Sequence, residues 1–416
     1  MQALKLKHSV EPETMKFSIQ CVRSQGARLG RLSEIGQNKD VTVETPMCML
    51  YTRGGSAAHL SRDVLQKLQD VPAVVHMPLC QLAQYEESID GYKDGMAKFT
   101  ALSDKIVYTS NTDPAVQVPS GYNEKSGIGL WGKGGKMKLD TDGFVKLQEA
   151  ILPDIFQCMS DGDTDKTSTR KRATKAVDRT LNFLDDVLDK INKSKRLGKS
   201  VMFGSIVGGY DLKERQRCTR ETVARNVEGF ALEGFHAMGP NAEDFDLSGP
   251  ADLISEIIKL LPEETPRLMQ SVWRPDTVLK AIGLGIDMFD SSYPYVVTER
   301  GHALVFKYDY KYNPEKTEEQ DCSLPTSLSI NINDQIYVED FSPLLADCKC
   351  YACENFTKAY INHLLNTSEL LASTLLMIHN FHHYFQFFKT IREALAENRF
   401  QDLQILIEKQ TPIKDS

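Results

Sequence analysis

The 416-residue chain lacks an apolar run of the length that a membrane-spanning helix requires. Its first residues, MQALKLKHSVEPETMKF, also lack the apolar stretch of a signal peptide. Basic charge is not in surplus either, because the formal net charge is −8. Strong nucleic-acid binding by this chain alone is therefore disfavoured, since neutralising phosphates requires Lys and Arg. The composition is that of an ordinary globular protein.

One segment departs from the acidic average. Between Lys166 and Lys199 the chain carries eleven Lys and Arg residues against four Asp residues. A charge run of this kind is usually the solvated face of a helix. The alternative is a patch that contacts phosphates, and the sequence alone leaves both interpretations open.

The middle of the chain alternates short β-rich runs with amphipathic helical stretches, which is typical of repeated βα units and a parallel sheet. Their number favours an α/β fold of the closed (β/α)8 TIM-barrel type. A later stretch, Ser327–Val338, alternates with period two and predicts a β-hairpin. The seven candidate barrel strands are Val71–Met77, Lys105–Ser110, Asp154–Met159, Ser200–Val207, Gly229–Leu232, Arg267–Val272 and Ile286–Phe289.

Three of the nine cysteines, Cys348, Cys350 and Cys353, lie within six residues. The other six are scattered, and without a secretory signal they indicate reduced thiols in a cytoplasmic protein. Three closely spaced thiolates can converge on one metal ion, and a distant His can complete a closed, structural Cys3His zinc site. Thiolates disfavour Mg²⁺ and Ca²⁺, and a single His makes an iron–sulfur cluster the weaker alternative.

Spacing alone does not choose the fourth ligand among His363, His379, His382 and His383. A long helix is predicted from about Glu369 to Glu397, and His379 lies at the edge of its inward stripe. This stripe is strongly apolar. Core packing within the subdomain is expected to bury about half of these side chains, and the rest are expected to face a partner protein. The side chains that form this aromatic stripe are Phe381, Phe385, Phe388 and Ile391.

The segment that follows Asp347, CKCYACENFTKAYINHLL and then SELLASTLLMIHNFHHYFQFFKTIREAL, resembles the zinc subdomain of the tRNA-guanine transglycosylases. In that family a C-x-C-x2-C motif and a His-Asn pair on the next helix supply the zinc ligands. The resemblance therefore implies one structural Zn²⁺ per subunit, held by Cys348, Cys350, Cys353 and His379. The stretch GIDMFD that ends at Asp290 is similar to the family's G-x-D-x-F-D motif, and the likeness covers most of the chain after about residue 40.

Domain limits follow from this likeness. Residues 1–15 are expected to form a poorly ordered extension, residues 16–320 the TIM barrel, and residues 321–416 the zinc-binding subdomain with C-terminal helices that complete the barrel. The family's activity is the exchange of guanine for a deazaguanine base, queuine in eukaryotes, at the wobble position of tRNAs with GUN anticodons. One carboxylate attacks C1′ of the ribose, and a second acts as acid and base.

The chain keeps one of these carboxylates, Asp290, in the position of the family's nucleophile, but it departs from the family elsewhere. The D-S-G-G motif of the second aspartate is absent, and Asp113 is the only nearby acid. Val207 stands where the family has a Gln that bonds the base, Glu233 replaces a Gly, and Tyr295 follows Pro294 where the family has Thr. Asp161 matches the family's base-recognition aspartate, but without its neighbours no role is assigned to it.

These departures predict a subunit without catalytic residues, whose partners are a catalytic paralogue, in a heterodimer, and tRNA. The Lys166–Lys199 segment then becomes a candidate for phosphate contacts. The alternatives are an active homodimeric transglycosylase that uses Asp290, and a binding module with no role in RNA chemistry. A cytoplasmic location is expected, which leaves room for peripheral association with an organelle membrane such as the mitochondrial outer membrane.

Overall fold

The structure is a computed structural model that describes residues 15–23, 26–37, 40–311, 324–325 and 327–410. The strands, in chain order, are β1 Lys16–Val22, β2 Arg28–Ser33, β3 Val43–Thr45, β4 Met47–Arg53, β5 Ser56–Ala57, β6 Val74–Pro78, β7 Ile106–Ser110, β8 Ile128–Gly132, β9 Gly135–Leu139, β10 Ile155–Gln157, β11 Val201–Ile206, β12 Gly229–Leu232, β13 Arg267–Leu268, β14 Met288–Asp290, β15 His302–Leu304 and β16 Ser329–Asn331.

The helices are α1 Arg62–Leu65, α2 Leu79–Leu82, α3 Glu86–Tyr92, α4 Gly95–Phe99, α5 Thr141–Ile151, α6 Arg170–Ile191, α7 Leu212–Val223, α8 Ala251–Ile258, α9 Pro275–Gly283, α10 Ser292–Glu299, α11 Tyr351–Asn355, α12 Lys358–Asn366, α13 Leu370–Ala396 and α14 Phe400–Glu408. Short 3-10 helices cover Ala83–Tyr85, Pro240–Asp244 and Gln335–Tyr337.

Eight parallel strands close into a barrel in the order β4, β6, β7, β10, β11, β12, β13 and β14. Closure is completed where β14 pairs with β4, with Met288 beside Met47 and Asp290 beside Met49. At least one helix follows each strand, so the predicted (β/α)8 fold is confirmed. The first strand, β4, was missed from the sequence because MCMLYTR is poor in the β-branched residues that mark strands.

The two ends of the barrel differ in chemistry. At the amino ends of the strands, apolar side chains such as Met47 and Met288 pack against Phe17 and Leu32 of the small antiparallel sheet β1–β2–β3. That sheet closes the bottom of the barrel. At the carboxyl ends the buried side chains become polar, among them Gln157, Ser205 and Asp290. The carboxyl end is the face on which barrel enzymes place their active sites, and we call it the mouth.

Helix α13 confirms the predicted long helix to within one residue at each end. It packs against α10, β15 and the barrel strand β4, and most of its side chains are buried on every side. The aromatic stripe is buried inside this chain: Phe381 and Ile391 are 0% exposed, and Phe385 and Phe388 nearly so. The prediction that part of this stripe faces a partner is therefore wrong.

Two further expectations concern the tail. The predicted hairpin over Ser327–Val338 is wrong, because β16 pairs antiparallel with β15, and the residues after it turn into the short 3-10 helix. Residues 1–14 of the predicted extension, and the boundary at 320–321, lie outside the described residues. Within the described residues, none of the helices is long and apolar enough to cross a membrane.

Candidate metal centre and barrel mouth

Four side chains converge where the loop before α11 meets α13. The Sγ atoms of Cys348, Cys350 and Cys353 and a ring nitrogen of His379 all lie within 4.8 Å of one another. The Nδ1 atom of His379 is 3.7, 3.6 and 3.3 Å from the three sulfurs in that order. Zinc–sulfur and zinc–nitrogen bonds of about 2.3 and 2.0 Å at tetrahedral angles would place N and S about 3.5 Å apart. The arrangement therefore fits a four-coordinate ion.

The surroundings of His379 fix which nitrogen faces the sulfurs. Its Nε2 lies 2.8 Å from the carbonyl oxygen of Leu304 and donates to it, which leaves the Nδ1 lone pair for a metal. The neighbouring Asn380 accepts from the Leu304 N–H at 2.8 Å and donates to Thr298 and His302. The His-Asn pair thus ties α13 to β15 and α10 while it presents one ligand atom.

The cysteine loop is shaped by a local hydrogen bond at the start of α11. Cys350 is the N-cap residue of α11, and its Sγ accepts from the backbone N–H of Cys353 at 3.4 Å. An N–H bond of this type stabilises a thiolate, because it favours the charged form. Of the four histidines that spacing left open, the structure brings His379 to the sulfurs, whereas His363 is exposed and His382 and His383 pack elsewhere on α13.

At the mouth, Asp290 ends strand β14 and is 0% exposed. One carboxylate oxygen accepts from the Ser271 N–H at 2.6 Å. The other accepts from the N–H and hydroxyl of Ser292 and from the indole N–H of Trp273. Burial raises the pKa of Asp290, although these hydrogen bonds oppose that shift. The carboxylate expected at the nucleophile position is therefore enclosed and already bound by four donors.

Asp113 is the second acid beside this strand end, and it too is enclosed. It accepts from the Tyr51 hydroxyl at 2.9 Å, from the Ala115 N–H at 3.0 Å and from the amide of Gln81. Burial raises its pKa. The structure thus brings Asp113 near the same mouth, but with the protein itself as its hydrogen-bond partner.

The carboxylate of Asp161 is bound by two arginines. Arg172 donates to both of its oxygens, at 2.9 and 2.6 Å, and Arg179 donates to one of them at 2.8 Å. Asn123 adds a fourth donor at 2.9 Å. Burial alone would raise the pKa of Asp161, but the hydrogen bonds and charge of Arg172 outweigh it and lower the pKa. This ion-pair cluster was not predicted, although Arg172 and Arg179 are seven residues apart and so lie on one face of α6.

A cavity of about 610 Å³ opens at the mouth beside these residues. Glu233 lines it, as predicted for a charged side chain in this position, and burial raises the pKa of its carboxyl. Val207, which stands where the family has a base-bonding Gln, does not line this cavity: its side chain packs against Val177 and Cys218 between α6 and α7. The backbone turns inward there through Gly208, whose φ of +135° suits glycine.

The basic segment Lys166–Lys199 does not form one patch. Helix α6 has 22 residues, so its ends are about 33 Å apart at ~1.5 Å per residue. Lys171 lies in its first turn, at the mouth, whereas Lys193 and Lys199 follow its last turn, at the opposite end of the barrel. Arg172 and Arg179 point inward to Asp161 and are not free for phosphate.

Comparison with known proteins agrees with this architecture. The family model described as queuine tRNA-ribosyltransferase matches residues 21–412. A Xenopus tropicalis protein named queuine tRNA-ribosyltransferase accessory subunit 2 is 44% identical over 420 residues, covering 95% of this chain and 100% of that protein.

Two further relatives bear the same name. The Homo sapiens protein is 41% identical over 419 residues, with 95% of this chain and 100% of that protein covered. The protein of the tick Ixodes scapularis is 39% identical over 395 residues, with 94% and 99% covered. The likeness therefore extends across the barrel and the cysteine loop together.

Proposed function

The chain belongs to the queuine tRNA-ribosyltransferase family, and we propose that it is the non-catalytic subunit of a heterodimeric enzyme of that family. In this role it supports the exchange of guanine for queuine at the wobble position of tRNAs with GUN anticodons, while a catalytic paralogue performs the reaction. The observation that carries the proposal is the identity of 39 to 44% with proteins named accessory subunit 2, over nearly the whole chain.

The mouth geometry supports the absence of catalysis. A nucleophile must present a free oxygen to C1′ of the ribose, but both oxygens of Asp290 are engaged by protein donors and the residue is 0% exposed. A base-binding aspartate must likewise offer its oxygens to the base, but Asp161 gives them to Arg172 and Arg179. The barrel would then serve as a scaffold.

The second part of the proposal is that the Cys3His cluster holds one structural Zn²⁺. Three thiolates and one imidazole in tetrahedral spacing match zinc in donor type and distance. Because four protein ligands leave no position for water, the ion would join the cysteine loop to α13 rather than act on a substrate.

The third part concerns the partner. The zinc-binding subdomain exposes large apolar side chains that the chain itself does not cover: Ile336, Phe341 and Leu370 are 74%, 76% and 86% exposed. Tyr351, Tyr360 and Leu371 lie in the same segment and are also exposed. We call these six residues the subdomain apolar face. Clustered exposed apolar residues mark interaction sites, and we assign this face to the catalytic subunit in place of the aromatic stripe, which is buried.

Co-expression with a catalytic subunit of the same family tests the proposal. We expect a stable one-to-one complex by mass determination, and exchange of labelled guanine in tRNA by the complex but not by this chain alone. Exchange by the purified chain alone that disappears in Asp290→Ala would instead establish the active homodimer. Failure of the two chains to associate would favour a binding module outside this enzyme.

We further place the complex in the cytoplasm. The described cysteines are free thiols, as is usual in a reducing compartment. Peripheral association with the mitochondrial outer membrane is the finer form of this proposal, and fractionation of cells that express a tagged chain would test it.

A further inference from the structure

A small antiparallel hairpin, β8 and β9, is inserted between barrel strand β7 and helix α5. Because it follows the carboxyl end of a barrel strand, it lies on the mouth face. Its tip is held to the barrel by the Gly134 N–H, which donates to the side chain of Gln84 at 3.2 Å. The segment just before it contacts the loop between β10 and α6, since Asn123 donates to Asp161 at 2.9 Å, and Arg172 in the first turn of α6 donates to the same carboxylate. Hairpin and helix start therefore form one continuous rim.

This rim carries six exposed lysines, and we call them the rim lysines: Lys125, Lys133, Lys136, Lys166, Lys171 and Lys175. Nearby carboxylates are bound by other groups: Glu124 pairs with Lys138, Asp161 and Asp163 pair with arginines, and Asp165 accepts from Thr167 and Ser168. Among the described residues the rim lysines have no carboxylate partner. A chain with net charge −8 thus carries along this rim six lysines without an ion pair to any described residue, outside a cavity that is itself lined by Asp163, Asp165 and Glu233.

Aromatic side chains stand among these lysines. The rings of Tyr122 and Trp131 meet edge to face with centroids 5.3 Å apart, and both residues line the mouth cavity. The Nζ of Lys136 lies 4.1 Å from the Tyr122 ring centroid. Lysines interleaved with aromatics are the pattern by which proteins hold a nucleic-acid backbone beside unstacked bases.

We propose that the rim lysines bind the ribose-phosphate backbone of the tRNA on which the heterodimer acts. This inference rests on the proposed function and adds to it a direct RNA-binding surface on the non-catalytic subunit. It replaces the undivided Lys166–Lys199 segment, in which Arg172 and Arg179 pair with Asp161 and the last lysines lie at the far end of α6. RNA is favoured over an anionic membrane because Lys136, Lys166 and Lys171 adjoin residues that line a concave cavity, among them Tyr122, Asp165 and Arg172, rather than a flat apolar face.

A charge-reversal pair of variants tests the inference in the reconstituted heterodimer. The first is Lys133→Glu/Lys136→Glu/Lys171→Glu; its matched control is Lys193→Glu/Lys195→Glu/Lys199→Glu, with the same change of charge on exposed lysines at the opposite end. Binding of a tRNA transcript is measured over a salt series. Each lost phosphate contact lowers the slope of log affinity against log salt by about 0.7 to 0.9, so we expect a slope smaller by about 2 and affinity at least about tenfold weaker for the rim variant.

Three readouts separate the possible failures. Heterodimer mass and melting temperature should be unchanged in both variants, and a wild-type pair that fails to associate would undermine the proposed function itself. If the complex forms but the rim and control variants bind tRNA with equal affinity and equal salt slope, the inference is overturned. Loss of binding to vesicles of anionic phospholipid in the rim variant, with tRNA binding intact, would also overturn it.

Discussion

Asp161 and Asp290 are both carboxylates buried at the mouth, yet their surroundings act on their pKa values in opposite directions. Asp290 is bound by neutral donors, so burial dominates and raises its pKa. Asp161 faces two guanidinium groups, and their charge lowers its pKa despite burial. A buried charge needs a partner to remain ionised, and only Asp161 has one. Asp161 is therefore expected to contribute to stability through its charge.

We expect Asp161→Asn to lower the free energy of unfolding by about 2–3 kcal/mol, less than for a fully buried pair because both arginines are partly exposed. The folded-state pKa of Asp161 is below its ordinary 3.8. Its contribution is therefore complete above that value and is lost as the pH falls through the folded pKa. Urea unfolding of wild type and variant at several pH values checks this. A stability difference that grows on acidification would contradict it.

His379 permits a test of the metal centre with an internal control. His379→Ala removes one of four ligands, so we expect loss of the bound metal and a large fall in melting temperature, because structural zinc contributes on the order of 10 kcal/mol of folding free energy. His363→Ala alters an exposed histidine of the same subdomain and should retain one metal per chain. Elemental analysis of both proteins is the measurement. Full metal content in the His379 variant would refute the assignment.

Among the secondary-structure elements, α13 is an example of what a periodic pattern can predict and what it cannot. Its apolar residues predicted the helix and its limits, because helix formation depends on local sequence. The same residues do not show whether the helix is buried by its own chain or by a partner, because both kinds of burial require apolar side chains. The structure places α13 against α10, β15 and β4, and this contact depends on residues more than 70 positions earlier in the chain.

Phe388→Ala should therefore destabilise the isolated chain. The side chain is 1% exposed and contacts the Phe289 ring, with centroids 5.6 Å apart, so its removal leaves a cavity that costs about 3–5 kcal/mol. Leu371→Ala, at an exposed position of the same helix, should change stability by less than about 1 kcal/mol. Calorimetry of the chain without its partner measures both. Weaker heterodimer formation with unchanged stability of the isolated Phe388 variant would restore the stripe as an interface.

Other elements show the same limit. Seven barrel strands and the cysteine loop were readable because apolar runs and ligand spacing are local signals. The strand β4 was not, since Met and Cys carry little strand preference. Strand β16 alternates like half of a hairpin, but its partner β15 lies 25 or more residues earlier, too far for a short turn to join them. The β8–β9 hairpin did have a local signal, the glycine-rich stretch from Gly132 to Gly135 between two short runs, and it was overlooked.

In the molecule as a whole, the Cys3His cluster and the barrel mouth lie in different parts of the fold, and only the cluster has the full set of side chains that its proposed role requires. The Cys3His cluster brings three sulfurs and one imidazole nitrogen within 4.8 Å of one another, whereas the carboxylates of Asp290 and Asp161 at the mouth are bound by other groups of the protein. The subdomain that holds the cluster also exposes the apolar face. A subunit that serves by association would retain this subdomain, because a metal bound by the cluster would order the segment on which the face is displayed.

The apolar face should therefore decide assembly. In Phe341→Asp/Leu370→Asp, two charges enter the centre of the contact without a partner, so we expect heterodimer affinity to fall at least about a hundredfold, since burying an unpaired charge costs several kcal/mol. Both positions are more than 70% exposed, so the melting temperature and metal content of the isolated chain should not change. Leu212→Asp, an exposed leucine on α7, is the matched control. Sedimentation of each variant with the catalytic subunit measures the affinity. Equal affinity for the double variant and the control would show that the face is not part of the interface. The partner's docking site would then lie elsewhere on the barrel.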